Sequence, residues 1–227
     1  VVYTNKSTEK SKDELEALVR SSIKSYSETT LEDFNTKLRG SKLAAQVDAV
    51  DTAILSTGLT IMPIIDWSPQ INIKETPIFR FETELVKPYP FREATGFKEY
   101  KPAVKSTPFD IEGTCVYLQD DGLGNLMFIV DDITNPSVFK PKVGTIDYTK
   151  GLITLNTVLI EAFDGASVKI MVRPKDSTIK SAQGRVFIIR DEDVQVNMIL
   201  DEKPIAGTTA SSSAIGTLSG STNSSSY

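Results

Sequence analysis

Two aspartate pairs, Asp120–Asp121 and Asp131–Asp132, bracket the glycine-studded stretch of YLQDDGLGNLMFIVDD. Paired carboxylates can bind a cation, act as general acid and base, or close a tight turn. A calcium loop of the EF-hand type needs oxygen ligands at positions 1, 3 and 5, glycine at 6 and glutamate at 12. Counted from Asp120, positions 3 and 5 are Gly122 and Gly124; counted from Asp121 they are Leu123 and Asn125, with Asp132 at 12. Neither register supplies the ligands. A hydrolytic dyad needs carboxyl groups about 5–9.5 Å apart. If 114–119 and 125–131 are paired strands, the two aspartate pairs sit at opposite ends of a hairpin, roughly 20 Å apart at ~3.3 Å per residue. The turn reading remains, because Gly and Asn tolerate the positive φ that tight hairpins demand. These carboxylates are expected to shape bends and wet surfaces rather than to react.

Other chemistry is short of parts. The chain contains no histidine and a single cysteine, Cys115. Histidine-dependent nucleophile triads and tetrahedral zinc sites are thereby excluded within this chain. Cys115 lies in the apolar run TCVYL and is expected to be a buried structural thiol, in keeping with a reducing compartment. DGLGN lacks the spacing and the lysine of a phosphate loop, and RDED at 190–193 reads as a solvated turn. The net charge is −5 with Lys and Arg dispersed, so no nucleic-acid partner is expected. No apolar run reaches the roughly 18 residues of a membrane span. No metal, cofactor or small-molecule substrate is expected. The chain opens VVYTNK without Met or a signal-peptide pattern, and is expected to be part of a longer polypeptide.

The elements that would position these residues are legible from periodicity. Leu15, Leu18, Val19, Ile23 and Tyr26 form one apolar stripe, with Ser11 as N-cap and Asp13 and Glu14 in the first turn. A short helix is expected after Thr30, through Leu31, Phe34 and Leu38, with Gly40 as its stop. A third, capped by Ser41, should carry Leu43, Val47, Val50 and Ile54 and end at Gly58. LTIMPIID, PQINIK and PIFRFETELV then read as strands, followed by a proline-rich stretch with Pro88, Pro90, Pro102 and Pro108. Beyond it, IEGTCVYLQ, NLMFIVDD, TIDYTK, LITLNTV, ASVKIMVRP, RVFIIR and VQVNMIL are strand candidates, with Thr-Lys-Gly turning the hairpin GTIDYTKGLITL.

The fold class expected is therefore α+β: a small helical layer packed with strands, then a mainly antiparallel, sandwich-like β domain. The linear partition is 1–87 helical and α+β, 88–108 a linker or long loop, 109–204 mainly β, and 205–227 a Ser/Thr/Gly-rich tail. That tail is expected to be captured by a sheet edge or a partner, since its composition alone offers little to offset ordering.

The helical stretch SIKSYSETTLEDFNTKLRGSKLAAQVDAVDTAIL resembles the C-terminal part of the baseplate-J-like family of contractile-tail phages. Tyr26, Phe34, Asn35, Leu38, Ser41, Leu43, Val47, Val50 and Ile54 carry that resemblance. DDGLGNLMF and VGTIDYTKGLITL are similar to hairpins of phage tail and baseplate proteins. The resemblance implies a non-enzymatic virion protein: a wedge subunit present in many copies, a homodimer within a ring around the tail tube that contacts other baseplate wedge proteins. It brings no catalytic residues. Candidate interface residues are Trp67, Tyr89, Phe91, Phe97 and Tyr100, together with the alternating Val194, Val196 and Met198. A rival reading is a carbohydrate-binding β-sandwich of a tail fibre or adhesin, which would need Trp67 or Tyr100 on an exposed aromatic shelf.

Overall fold

The computed structural model describes residues 1–5, 7–31, 36–92, 97, 99–180 and 186–201. After a two-residue strand β1 (Val2–Tyr3), helix α1 runs Lys12–Tyr26. Ser11 caps it as expected. Its Oγ accepts from the Glu14 N–H at 3.3 Å, and Glu14 Oε2 accepts from the Ser11 N–H at 2.7 Å. This reciprocal capping box satisfies two N-terminal donors, and its hydrogen bonds hold the Glu14 carboxyl below the usual range. Leu15, Val19, Ile23 and Tyr26 are buried; Leu18 lies on the flank of that stripe and stays exposed. Ser11→Ala is expected to cost about 1 kcal/mol, read as a lower denaturant midpoint at unchanged slope.

A π-helical turn, Ser27–Leu31, extends α1. The expected second helix is not what Leu38 joins. That residue lies in strand β2 (Lys37–Arg39), while Phe34 and Asn35 lie outside the described residues. Gly40, expected to stop a helix, instead opens α2 (Gly40–Asp48), its N–H donating to the Ser177 carbonyl at 2.9 Å. Ser41 is therefore inside the helix rather than its cap. Leu43 and Val47 are buried on α2, but the helix ends short of Ile54, which belongs to strand β3 (Ile54–Ser56). Asp51 explains the early stop: its side chain accepts from the Ala53 N–H at 2.9 Å and its carbonyl from the Ile54 N–H at 3.0 Å. Such local bonds offer the backbone an alternative to the helix.

The strands that follow are β4 (Ile64–Trp67), β5 (Lys74–Glu75), β6 (Ile78–Arg80), β7 (Val104–Ser106) and β8 (Phe109–Ile111). After them come β9 (Thr114–Asp120), β10 (Asn125–Val130), β11 (Val138–Asp147) and β12 (Leu152–Leu155), then β13 (Val158–Leu159), β14 (Ala162–Phe163) and β15 (Val168–Val172). Ten of them make one antiparallel sheet, in the order β4-β15-β7-β9-β10-β11-β12-β6, with β8 and β14 branching from β9. The two ends of that path meet: Trp67 on β4 and Phe79 on β6 stack edge-on, centroids 5.5 Å apart. The sheet thus curls back on itself around a core that includes Phe109, Val116, Leu118, Phe128 and Ile170. Both expected hairpins form. Leu126 pairs with Asp120 and Val130 with Val116; Gly144 pairs with Leu155 and Asp147 with Leu152. In the second turn Asp147 Oδ1 accepts from the Thr149 and Lys150 N–H groups, and Gly151 takes φ +61°.

Strand β7 lies within the 88–108 stretch, between β15 and β9, so the sheet draws on both sides of that stretch. The chain then returns to the helices. Strand β16 (Thr178–Lys180) pairs with β2, and β17 (Ile199–Leu200) lies parallel to β1, giving the sheet β17-β1-β3. VFIIR and most of VQVNMIL, expected as strands, are not: residues 186–198 carry only a 3-10 turn, Asp191–Asp193, and Arg185 of the expected RVFIIR lies outside the described residues. Side chains rather than a ladder meet this segment's backbone there. Ser27 Oγ accepts from the Ile189 N–H at 3.0 Å, and Arg20 donates to the Val194 carbonyl at 2.8 Å. A second core results, uniting Val19, Ile23, Leu43, Val47 and Ile54 with Ile179. The curled sheet leaves and rejoins this helical part at neighbouring points, where the Val172 N–H donates to the Pro63 carbonyl at 3.0 Å. The class is α+β with a mainly antiparallel β-rich part.

Candidate functional site

Asp120 is not a wetted turn residue. It closes β9 with no solvent exposure at all. Its Oδ1 accepts from the Ala103 and Val104 N–H groups at 2.7 and 2.9 Å, while Oδ2 accepts from the Tyr148 hydroxyl at 2.8 Å and the Tyr100 hydroxyl at 3.5 Å. Burial pushes the Asp120 carboxyl above the usual carboxylate range, against the opposing pull of the bonds from Val104, Tyr148 and Ala103. Burial, and then the charge of Asp120, push the Tyr100 and Tyr148 hydroxyls strongly upward, so both stay protonated donors. A carboxylate whose oxygens are both engaged by the fold is a poor proton acceptor for a substrate. It is a latch: a side chain on β9 that fixes the start of β7 and the turn after β11.

Asp121 does what the sequence asks of it. Oδ1 accepts from the Leu123 and Asn125 N–H groups at 2.7 and 3.0 Å, and Oδ2 from Asn125 Nδ2 at 2.7 Å. Gly122 has φ +75°, and a Cβ there would stand 2.5 Å from the Tyr89 carbonyl, so the turn and the aromatic stretch are in close contact. The Phe91 N–H donates to the Asp121 carbonyl at 2.8 Å. Phe91 packs on Phe97 and Tyr100, at 5.0 and 5.3 Å between centroids, and Phe91 and Phe97 cover Tyr117, Met127 and Ile129 on the hairpin β9–β10. At the other end Asp132 caps its own loop, accepting from the Thr134 N–H and hydroxyl and the Asn135 N–H; these bonds hold its carboxyl below the usual range. The two aspartate pairs stand at opposite ends of the hairpin, as the strand count requires.

The candidate interface residues fall in three settings. Trp67 is a core residue, edge-on to Phe79 and Phe109, its Nε1 donating to Glu75 at 3.4 Å. Phe91, Phe97 and Tyr100 lie on the latch-held segment, whereas Tyr89 is 92% exposed. Val194 and Val196 pack against the helical core, and Met198 is buried beside Tyr3 and Leu15. A sugar-binding shelf is not favoured by these positions: Trp67 is enclosed and the Tyr100 hydroxyl is committed to Asp120. Cys115 departs from expectation and is exposed, because its side chain points away from the core-facing positions Val116 and Leu118. Partial burial and the nearby Asp110 carboxylate push its thiol up, away from a reactive thiolate.

Among the described residues no group of three or more His, Cys, Asp or Glu is placed to hold a metal ion, and no helix is long and apolar enough to cross a membrane. An open cleft of about 710 Å³ lies beside Lys74, Glu112, Phe128, Lys142 and Glu161. Its two carboxylates are occupied: Glu112 by Lys140 at 2.5 Å, Glu161 by the Gly113 N–H at 2.8 Å.

The fold is of the α+β class, and its described buried carboxylate, Asp120, is held by the fold's own donors. Residues 1–63 match the family described as baseplate structural protein gp6, C-terminal domain III, and the chain is gp6-like through this helical part. The match ends one residue before β4, so the curled sheet lies wholly outside it. No curated protein matches the chain.

Proposed function

We propose that this chain is a structural, non-catalytic subunit of a contractile-tail baseplate wedge, which associates with its own copies and joins wedges into a ring around the tail tube. The match of residues 1–63 to the gp6 C-terminal domain III carries this reading. The curled sheet is then an elaboration carried by that helical part, and other baseplate wedge proteins are its partners. The particle is the virion tail, and assembly takes place in the host cytoplasm.

Two measurements test this. Antibody raised against residues 104–172 should decorate the baseplate end of purified tails in electron micrographs; decoration of fibre tips alone overturns the reading. The full chain at tens of micromolar should scatter light as a dimer or larger, and a monomer throughout removes self-association.

A further inference from the structure

Four strands end the two longer sheet paths, and three of them carry or adjoin a charge. Strand β4 contains Asp66, which is bound by Arg190; β6 contains Arg80; and β17 runs directly into Asp201. Charges at sheet ends are how soluble proteins keep open strand edges from pairing with other chains. Strand β3 is the exception. It lies in TAILSTGLTIMPII, residues 52–65, which contains no charged residue. Leu55 is 50% exposed, Leu59 36% and Met62 48%, all on or just after this strand, and among the described residues no strand pairs with its outer side.

We propose that the outer edge of β3, with Leu55, Leu59 and Met62, is an interface that a second copy of this chain covers by antiparallel edge-to-edge pairing. The inference rests on the self-association proposed above and names its surface. A two-fold contact presents one patch to itself, so any charge near the axis meets its own like. The edge of β3, uncharged and flanked by exposed apolar side chains, meets a copy of itself without that cost. The antiparallel pairing of two identical strands has the two-fold symmetry such a contact needs, and it joins β17-β1-β3 to its mate in one six-stranded sheet.

The test uses the full chain and the exposed-site variants Leu55→Lys and Leu59→Lys, with Leu55→Glu as a complement. Dissociation constants come from sedimentation, and circular dichroism checks that each variant keeps its fold. Each lysine is expected to weaken the dimer at least ~100-fold, because like charges are set together at a desolvated contact. Mixing Leu55→Lys with Leu55→Glu should restore most of the affinity. Lysine variants that dimerise like the unmodified chain overturn this surface but leave self-association standing. A monomeric unmodified chain overturns both.

Discussion

Replacing Asp120 by alanine is expected to lower the unfolding free energy by about 3 kcal/mol, because it strands two buried N–H donors and a half-buried hydroxyl. The Ala103 and Val104 N–H groups and the Tyr148 hydroxyl all lose their acceptor. Asp120→Asn should recover more than half of this. Its remaining oxygen can serve the two N–H groups, and the tyrosine hydroxyls can turn to accept from the new amide. The pair also tests the carboxyl's ionisation. A carboxyl whose value is raised in the fold holds its proton at a pH where the unfolded chain has lost it. By linkage its contribution grows as pH falls through the raised value and levels off below the ordinary one near ~3.9. The unmodified chain should therefore gain on Asp120→Asn as urea titrations move from pH 7 toward 4. A gap that is constant across that range would show that Asp120 ionises as it does in the unfolded chain.

Trp67→Ala is expected to be the costlier change, at about 3–5 kcal/mol, as for other buried aromatics cut to alanine. The loss is not only volume. Trp67 touches Phe79 and Phe109, and so joins the first and last strands of the sheet path. Hydrogen exchange should quicken first in β4 and β6, while α1 and α2, which rest on a separate core, keep their protection. As the chain's one tryptophan it also reports its own setting. The native emission should be blue-shifted and hard to quench, and should move red only with unfolding of the sheet.

What could be read from the sequence was local. The Ser11–Glu14 box, the Asp121–Asn125 turn and the hairpin through Gly151 are each decided by residues within a few positions of one another, and each stands where patterning puts it. What could not be read depends on distant partners. Asp120 looks like any turn aspartate until Ala103, Val104 and Tyr148 arrive from three other places in the chain. Residues 186–198 have the apolar content of strands, yet Ser27 and Arg20 take up backbone groups that a ladder would have used. Ile54 fits a helical stripe as well as a strand, and the local bonds of Asp51 decide between them. Trp67 reads from the sequence as a candidate interface aromatic, and only the closure of the sheet puts it in the core.

The hydrogen bond between Val172 and Pro63 has an evolutionary corollary. Where a polypeptide departs and comes back within a single such bond, the stretch between can be excised or exchanged with a splice of very few residues. Deleting 64–172 and bridging the gap with a short glycine–serine segment would leave the gp6-like helices facing their own returning strands. The sheet is thus exchangeable for another without rebuilding the stretch that matches the gp6 domain.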